Sequence, residues 1–215
     1  MLIVQPSVEL FNPLPRDVMY SQIERAGRVC YKSEDKITDD SSENFIRGII
    51  RRGHEAVIEH AAISVKFTCD RGVTHEIVRH RIASYCQEST RYCNYSQDKF
   101  GNQISVIEPF YLEKDSEAYR IWKLACMGSE EAYFDMLARG CSPQEARAVL
   151  PNSLKTEIVV TMNPREWRHF FKLRCSKAAH PQMRQVALMA LEVMYTCYPL
   201  FFDDLAEMYL VKEDR

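Results

Sequence analysis

The stretch Arg79-His80-Arg81-Ile82-Ala83-Ser84-Tyr85-Cys86-Gln87-Glu88-Ser89-Thr90-Arg91, followed by Tyr92, concentrates more chemistry than any other part of the chain. Three cationic or cationisable side chains stand in a row. Hydroxyls and an amide–carboxylate pair follow, and a further arginine closes the segment. Guanidinium groups suit phosphate and planar oxygen ligands because each presents several fixed N–H donors and stays charged at any working pH. Such crowding is costly by self-repulsion unless an anion lies among the cations. The segment therefore reads as an anion pocket. A solvated arginine-rich helix end would account for the charge, but not for the coincidence of residue types and spacing.

Other chemistry is thinner. All seven glycines are isolated, and neither a G-x-G-x-x-G nor a Walker-type loop occurs. A dinucleotide, if one binds, is therefore not held by a Rossmann fingerprint. Ser89 invites a nucleophile reading, but nothing in the sequence fixes a general base beside it, so it reads as a binding hydroxyl. Cys86 lies among cations that could lower its thiol pKa, yet it reads as a passive thiol. Taken alone, His54 and His60 read as structural. Tyr85, Tyr92 and Tyr95 either stack on a planar ligand or pack at an interface, and the sequence does not choose. The histidines and cysteines lack zinc-ligand spacing, so no metal is expected.

Arg79-His80-Arg81, seven residues and then Ser89, with Ser84 inside and Arg91-Tyr92 trailing, resembles the signature of the flavin-dependent thymidylate synthases. Three further pieces carry the likeness. His54-Glu55-Ala56-Val57-Ile58-Glu59-His60 resembles the family's upstream His-Glu-x-x-x-Glu-His segment. Residues 144–151 resemble its Glu-x-Ala-Arg-x-x-Leu-Pro stretch, and residues 163–174 its Asn-x-Arg helix ending in a substrate arginine.

The resemblance implies an α/β (α+β) fold. It would be a single domain over residues 1–215, with a central mixed or antiparallel sheet flanked by helices, and not a Rossmann fold. It also implies a homotetramer whose sites are assembled from several subunits. The implied reaction is reductive methylation of dUMP to dTMP. Methylenetetrahydrofolate would be the carbon donor, and tightly held FAD, reduced by NADPH, the hydride source.

Carried over by position, Arg79, His80 and Arg81 would touch the flavin, with Arg79 also at the nucleotide. Gln87 would reach both ligands, while Glu76, Glu88, Ser89, Thr90, Arg91 and Arg147 would hold dUMP. Asn163, Pro164, Arg165 and His169 would meet FAD. Arg174 would both bind dUMP and act catalytically, stabilising the uracil ring as its N3 proton is lost. Ala56 takes a flavin-facing position where relatives carry threonine. Cys86-Gln87 replaces an Asn-Glu pair, which removes a charge while Gln87 keeps hydrogen bonding. Nothing resembles the Pro-Cys-His context of the other thymidylate synthases. The rival readings are an arginine-rich nucleic-acid-binding module and a flavoprotein lacking the methylation activity. Near-neutral charge counts against the first.

The bulk properties describe a soluble globular protein rather than a disordered one. The chain has 215 residues, 46% hydrophobic and 27% charged, and a formal net charge of −2. It can bury a substantial core, and nothing global favours nucleic acid or an acidic membrane. No run approaches a membrane span, and the N-terminal apolar run is too short for a signal peptide. Eight cysteines without a C-x-x-C pair read as reduced thiols of a cytoplasmic protein.

The elements that must position the candidate residues follow from periodicity and capping. The pattern predicts helices over residues 17–31, with Val18, Ile23, Ala26 and Val29 on the apolar face, and from Ser41 or Ser42 to Arg51, with Phe45, Ile49 and Ile50 inward. Residues 61–69 and 154–162 read as strands, and 2–4 and 104–107 as short ones. Asp70 caps a short helix delivering Arg79. Residues 79–103 read as one long loop. Further helices are predicted over 115–138, from Ser142-Pro143, from Asn163-Pro164 and over 181–198.

Overall fold

A computed structural model describes residues 1–211. In chain order its elements are β1 (Leu2–Val4), β2 (Ser7–Leu10), α1 (Arg16–Val29), α2 (Ser41–Arg51), β3 (Ile63–Asp70), α3 (Arg71–Ile77) and β4 (Ser84–Gln87). There follow β5 (Ser105–Ile107), α4 (Glu117–Ala138), α5 (Pro143–Ala146), β6 (Lys155–Met162), α6 (Pro164–Arg174), α7 (Pro181–Cys197) and α8 (Pro199–Ala206). A 3-10 helix occupies Glu55–His60.

β1 and β5 pair in parallel, with Leu2 opposite Ser105 and Val4 opposite Ile107. The other four strands form a sheet in the order β2-β3-β6-β4. This is the mixed α/β (α+β) class implied by the sequence. Neither sheet has a Rossmann or flavodoxin-like strand order. Alternation along β3 buries Ile63, Val65, Phe67 and Cys69, and along β6 it buries Thr156, Ile158, Val160 and Met162. That is the period of two expected of strands with one covered face.

The chain divides into two compact units, each drawn from three stretches of sequence. Met1–Ser7, Phe67–Arg79 and Cys86–Ile158 make the first, and Val8–Lys66, His80–Tyr85 and the described residues from Val159 to Val211 make the second. Neither unit is a continuous stretch, so no linker is visible in the sequence.

In the first unit, Tyr95, Ile104, Val106, Cys126, Tyr133, Ala146 and Leu154 form a buried cluster. The Asp70 carboxylate accepts the Val73 N–H at 2.7 Å and caps α3, as expected. Ser116 caps α4 through Tyr119 N–H at 3.1 Å, and Ser142 with Glu145 forms a capping box at α5. The helix at α5 is short, and Arg147 lies just past its end, at the start of a 3-10 turn through Val149.

The second unit is helical and aromatic. Trp167, Phe170, Phe171, Phe201 and Phe202 are fully buried, and Tyr20 meets Phe201 edge-on at 5.2 Å between centroids. Asn163 caps α6, accepting the Glu166 N–H at 2.8 Å.

Several expectations are corrected. On α1 the buried face is Met19, Tyr20, Ile23, Glu24 and Gly27, while Val18 and Val29 are exposed. Glu24 tolerates burial because Arg28 pairs with it at 2.8 Å and the Ser41 hydroxyl donates to it at 2.7 Å. Gly27 is required by close approach, since a Cβ there would lie 2.5 Å from the Phe45 ring. On α2 it is Ile46, with Ile49, that is buried. Residues 79–103 are not one loop. Ser84–Gln87 forms β4, neighbouring β6, and Asp98–Phe100 forms a 3-10 turn. β2, the 3-10 helix at Glu55–His60 and α8 carry no counterpart in the sequence reading.

Candidate functional site

The three-cation row at the head of the signature is not what the structure shows. Arg79 and Arg81 are exposed, whereas His80 between them is buried at 4% exposure. Arg79 sits in the turn that ends α3, its N–H donating to the Glu76 carbonyl, and of the three side chains only the His80 imidazole turns inward. Burial, with the Arg174 and His169 charges adding to it, pushes the His80 pKa down to about 4. At neutral pH His80 is uncharged.

In the first unit the candidate nucleotide residues lie on β4, the turn after it, α3 and the end of α5. Gln87 donates from Nε2 to the Thr74 hydroxyl at 3.1 Å and to the Thr156 hydroxyl at 3.4 Å. Both threonines are 1% exposed, so the amide is anchored in the protein interior. The Thr74 hydroxyl already donates to the Arg71 carbonyl at 2.8 Å, so it needs a donor beside it, which an amide supplies and a carboxylate cannot. The Glu88 carboxylate accepts from Tyr95 hydroxyl at 3.0 Å and Lys155 Nζ at 3.3 Å, and its N–H donates to the Glu157 carbonyl at 2.8 Å. Glu88 is thus tied into the unit's own network.

Ser89 opens a turn. Its carbonyl accepts from the Tyr92 and Cys93 N–H groups, and its hydroxyl accepts from the Arg91 N–H at 3.3 Å. Among the described residues no carboxylate or imidazole hydrogen-bonds to that hydroxyl. Arg91 donates from Nε to Gln144 at 2.8 Å, and Arg147 donates from Nη1 to the buried Thr90 hydroxyl at 3.5 Å. Two guanidinium groups are therefore held beside the Ser89–Thr90 turn by neutral acceptors, which leaves their charge uncompensated by those contacts. Glu76 is half-buried on α3.

In the second unit α6 presents Arg165, Glu166, His169 and Lys172 at helical spacing along an open cleft of ≈ 420 Å³, with Asn163 at its start. Glu55, Glu59 and Ile82 complete the lining. Arg165 pairs with Glu59 at 2.6 Å, both half-exposed. Pro164 is buried at the first turn of α6, where its missing N–H is harmless. Ala56 is exposed on the same 3-10 helix as Glu55 and Glu59 but does not line the cleft.

Arg174, at the last turn of α6, donates from Nε to His80 Nε2 at 3.1 Å. His80 Nδ1 lies 3.3 Å from Glu166 Oε1. Burial raises the Glu166 carboxyl, against an opposing pull from His169. His80, Glu166 and His169 offer ligand atoms within 4.8 Å of one another. A metal fits this set poorly. A metal-bound imidazole donates its other N–H to an acceptor, whereas the other nitrogen of His80 faces a guanidinium.

Sequence reasoning overlooked Glu166, Glu55 and Arg168. Glu166 stands three residues after the capping Asn163, where an acid reads as a helix-start signal and hides its second contact. Arg168 donates to Glu55 at 3.0 Å and to both oxygens of Asp204 at 2.7 Å. Arg168 stands between Trp167 and His169, and nothing in that order signals its burial.

Comparison with known proteins adds a family. The model of the family described as "Thymidylate synthase complementing protein" matches residues 18–200. A flavin-dependent thymidylate synthase of Pyrococcus furiosus is 36% identical over 184 residues, covering 85% of this chain and 75% of its own. One from Mycolicibacterium gilvum is 38% identical over 200 residues, covering 85% and 78%. Among solved structures, a UMP/dUMP methylase PolB from Streptomyces cacaoi, bound with 5-Br dUMP, superposes with a TM-score of 0.77 at 21% identity. The match covers 97% of this chain and 98% of that one. At that identity the likeness speaks to the fold.

Proposed function

The chain belongs to the flavin-dependent thymidylate synthase family, and we propose on that premise that it makes dTMP from dUMP by reductive methylation. Methylenetetrahydrofolate is the carbon donor and NADPH-reduced FAD the hydride source. The observation that carries the reading is the continuous family match over residues 18–200, which contains every candidate site residue.

The residues present suit a flavin dinucleotide. The α6 cleft offers Arg165 and Lys172 to a pyrophosphate and Asn163 and His169 to hydrogen-bonding edges. Arg79 and Arg81, both exposed, are flavin contacts by the family resemblance. Pro164 sets the start of α6, His80 backs the site from within, and Gln87 supplies a neutral contact. Bound FAD supplies the hydride chemistry that no side chain here can. Ala56 contributes no hydroxyl.

For dUMP, Arg79, Arg91 and Arg147 provide charge for the phosphate, and Glu76, Gln87, Ser89 and Thr90 provide directional hydrogen bonds. The Glu88 side chain is engaged with Tyr95 and Lys155, so its proposed contribution runs through the position of its backbone. Carbon C5 of uracil becomes nucleophilic as negative charge develops on the ring. Arg174 stabilises that charge as a preorganised cation, which makes it the catalytic residue.

The active species is a homotetramer with sites shared between subunits. The support within the chain is an apolar stripe on α4, where Ile121, Leu124 and Met127 are about half-exposed. Sedimentation of an active monomer would contradict it. One domain and a cytoplasmic location complete the proposal. All eight cysteines are free, and no helix among the described residues is long and apolar enough to cross a membrane.

The test is spectroscopic. Purified protein should carry FAD and bleach on anaerobic addition of NADPH. Protein that stays colourless after incubation with FAD and gel filtration refutes the flavin reading. Salt-steep binding of single-stranded DNA would favour the nucleic-acid rival instead.

A further inference from the structure

We infer that His80 is a positioning residue for Arg174, linking Glu166 to the guanidinium as a neutral imidazole in its Nδ1–H tautomer. What Arg174 then does rests on the proposed function, but the link itself is geometry within the second unit. Arg174 Nε lies 3.1 Å from His80 Nε2. A guanidinium can only donate, so Nε2 must be the acceptor, and the single ring proton of a neutral imidazole then sits on Nδ1. That N–H meets Glu166 Oε1 at 3.3 Å. The chain of donors runs one way, from Arg174 to His80 to Glu166.

The surroundings hold this arrangement. The imidazole is 4% exposed and packs on Phe170 at 4.9 Å between centroids. The Tyr85 hydroxyl donates to the His80 carbonyl and fixes the main chain. The titratable and charged groups facing the ring are Glu166, His169 and Arg174, all from α6, while Tyr85 from β4 meets the main-chain carbonyl. A pKa near 4 agrees with a ring that stays neutral in the working range. A proton on Nε2 would confront the Arg174 N–H with another donor and break the link. With Nε held, the plane of the guanidinium is set in advance. A planar donor in fixed orientation is what stabilising charge on a developing ring anion requires.

Two measurements test this. The first needs no activity: nitrogen-detected histidine spectra of the full-length protein as isolated, with His80 assigned through His80→Gln. The inference requires a neutral Nδ1–H tautomer near pH 7. An Nε2–H tautomer or an imidazolium there overturns it. The second compares His80→Gln with His80→Leu at saturating FAD. Glutamine can accept from Arg174 and donate to Glu166, whereas leucine can do neither. The expected result is turnover within about tenfold of wild type for His80→Gln and a loss of about a hundredfold or more in kcat for His80→Leu, with KM for dUMP little changed. Equal losses in the two variants overturn the inference. If His80→Leu does not fold, the tautomer decides alone. If wild-type protein forms no dTMP, the proposed function fails while the tautomer still reports on the link.

Discussion

Arg168→Met probes the contact on which the second unit's packing around α6 depends. The arginine side chain is 4% exposed. It donates from Nε to Glu55 at 3.0 Å, from Nη1 to the Phe201 carbonyl at 2.6 Å, and from Nη1 and Nη2 to Asp204 at 2.7 Å each. Methionine preserves most of the stem volume, so the cavity contribution is small. What remains is the loss of charge-assisted hydrogen bonds, about 1.5–3 kcal/mol for one to a charged partner, and a stranded Phe201 carbonyl, about 1–3 kcal/mol. The carboxylates differ. Asp204 is 50% exposed and rehydrates, whereas Glu55, at 21%, does so less readily. The expected loss is about 3–5 kcal/mol, in the range for removing one partner of a buried pair. Asp204→Asn keeps the shape and an acceptor at a half-exposed site and should cost about 1 kcal/mol or less. Urea unfolding followed by tryptophan fluorescence measures both. Glu55 also lines the α6 cleft, so Arg168→Met should weaken flavin retention as well. An Arg168→Met protein within about 1 kcal/mol of wild type, or an Asp204→Asn protein equally destabilised, would refute the reasoning.

Arg174→Lys keeps a charge but loses the planar fork and the Nε donor to His80, so turnover should fall about tenfold or more while flavin stays bound, equivalent to ~1.4 kcal/mol or more in the barrier. Full activity in that variant would show that the role is misassigned. Ser89→Ala should keep measurable turnover with a raised KM for dUMP, because its hydroxyl meets the Arg91 N–H and no base. Loss of all turnover with dUMP binding intact would restore the nucleophile reading. The depressed His80 pKa predicts a pH dependence of stability. The unfolded chain takes up a proton near pH 6.5 and the folded chain only near 4. Stability from this group is therefore complete above about 6.5 and declines as pH falls toward 4. Urea midpoints across that window should slope less steeply in His80→Gln than in wild type; equal slopes would contradict the buried neutral ring.

Local chemistry made much of this fold legible. Asp70, Ser142 and Asn163 announce helix starts because a cap depends only on neighbours along the chain. What depended on distant partners was not visible. β2 and β4 are four residues each, and their identity as strands comes from the sheet they join. The buried face of α1 includes Glu24 and Gly27, which hydrophobic periodicity places outside; an ion pair and a close helix approach put them inside. α8 had a local sign, Pro199 at its first turn, that went unread. At the candidate site the arginines, Gln87 and the Ser89 turn stood out by type and spacing. The Glu166–His80 contact joins residues 86 apart in sequence, and no motif encodes it. His80 stood out in the sequence as a candidate, but its charge state was not visible there, since neutrality comes from burial.

The central claim is that this chain methylates dUMP with a flavin as reductant. The direct measurement is dTMP formation by the purified protein supplied with dUMP, methylenetetrahydrofolate, NADPH and FAD, with each omitted in turn. The account predicts dTMP in step with NADPH consumption and tetrahydrofolate release, abolished by omitting the folate or NADPH and reduced by stripping FAD. A flavin-loaded, folded protein that oxidises NADPH yet forms no dTMP under these conditions would contradict it.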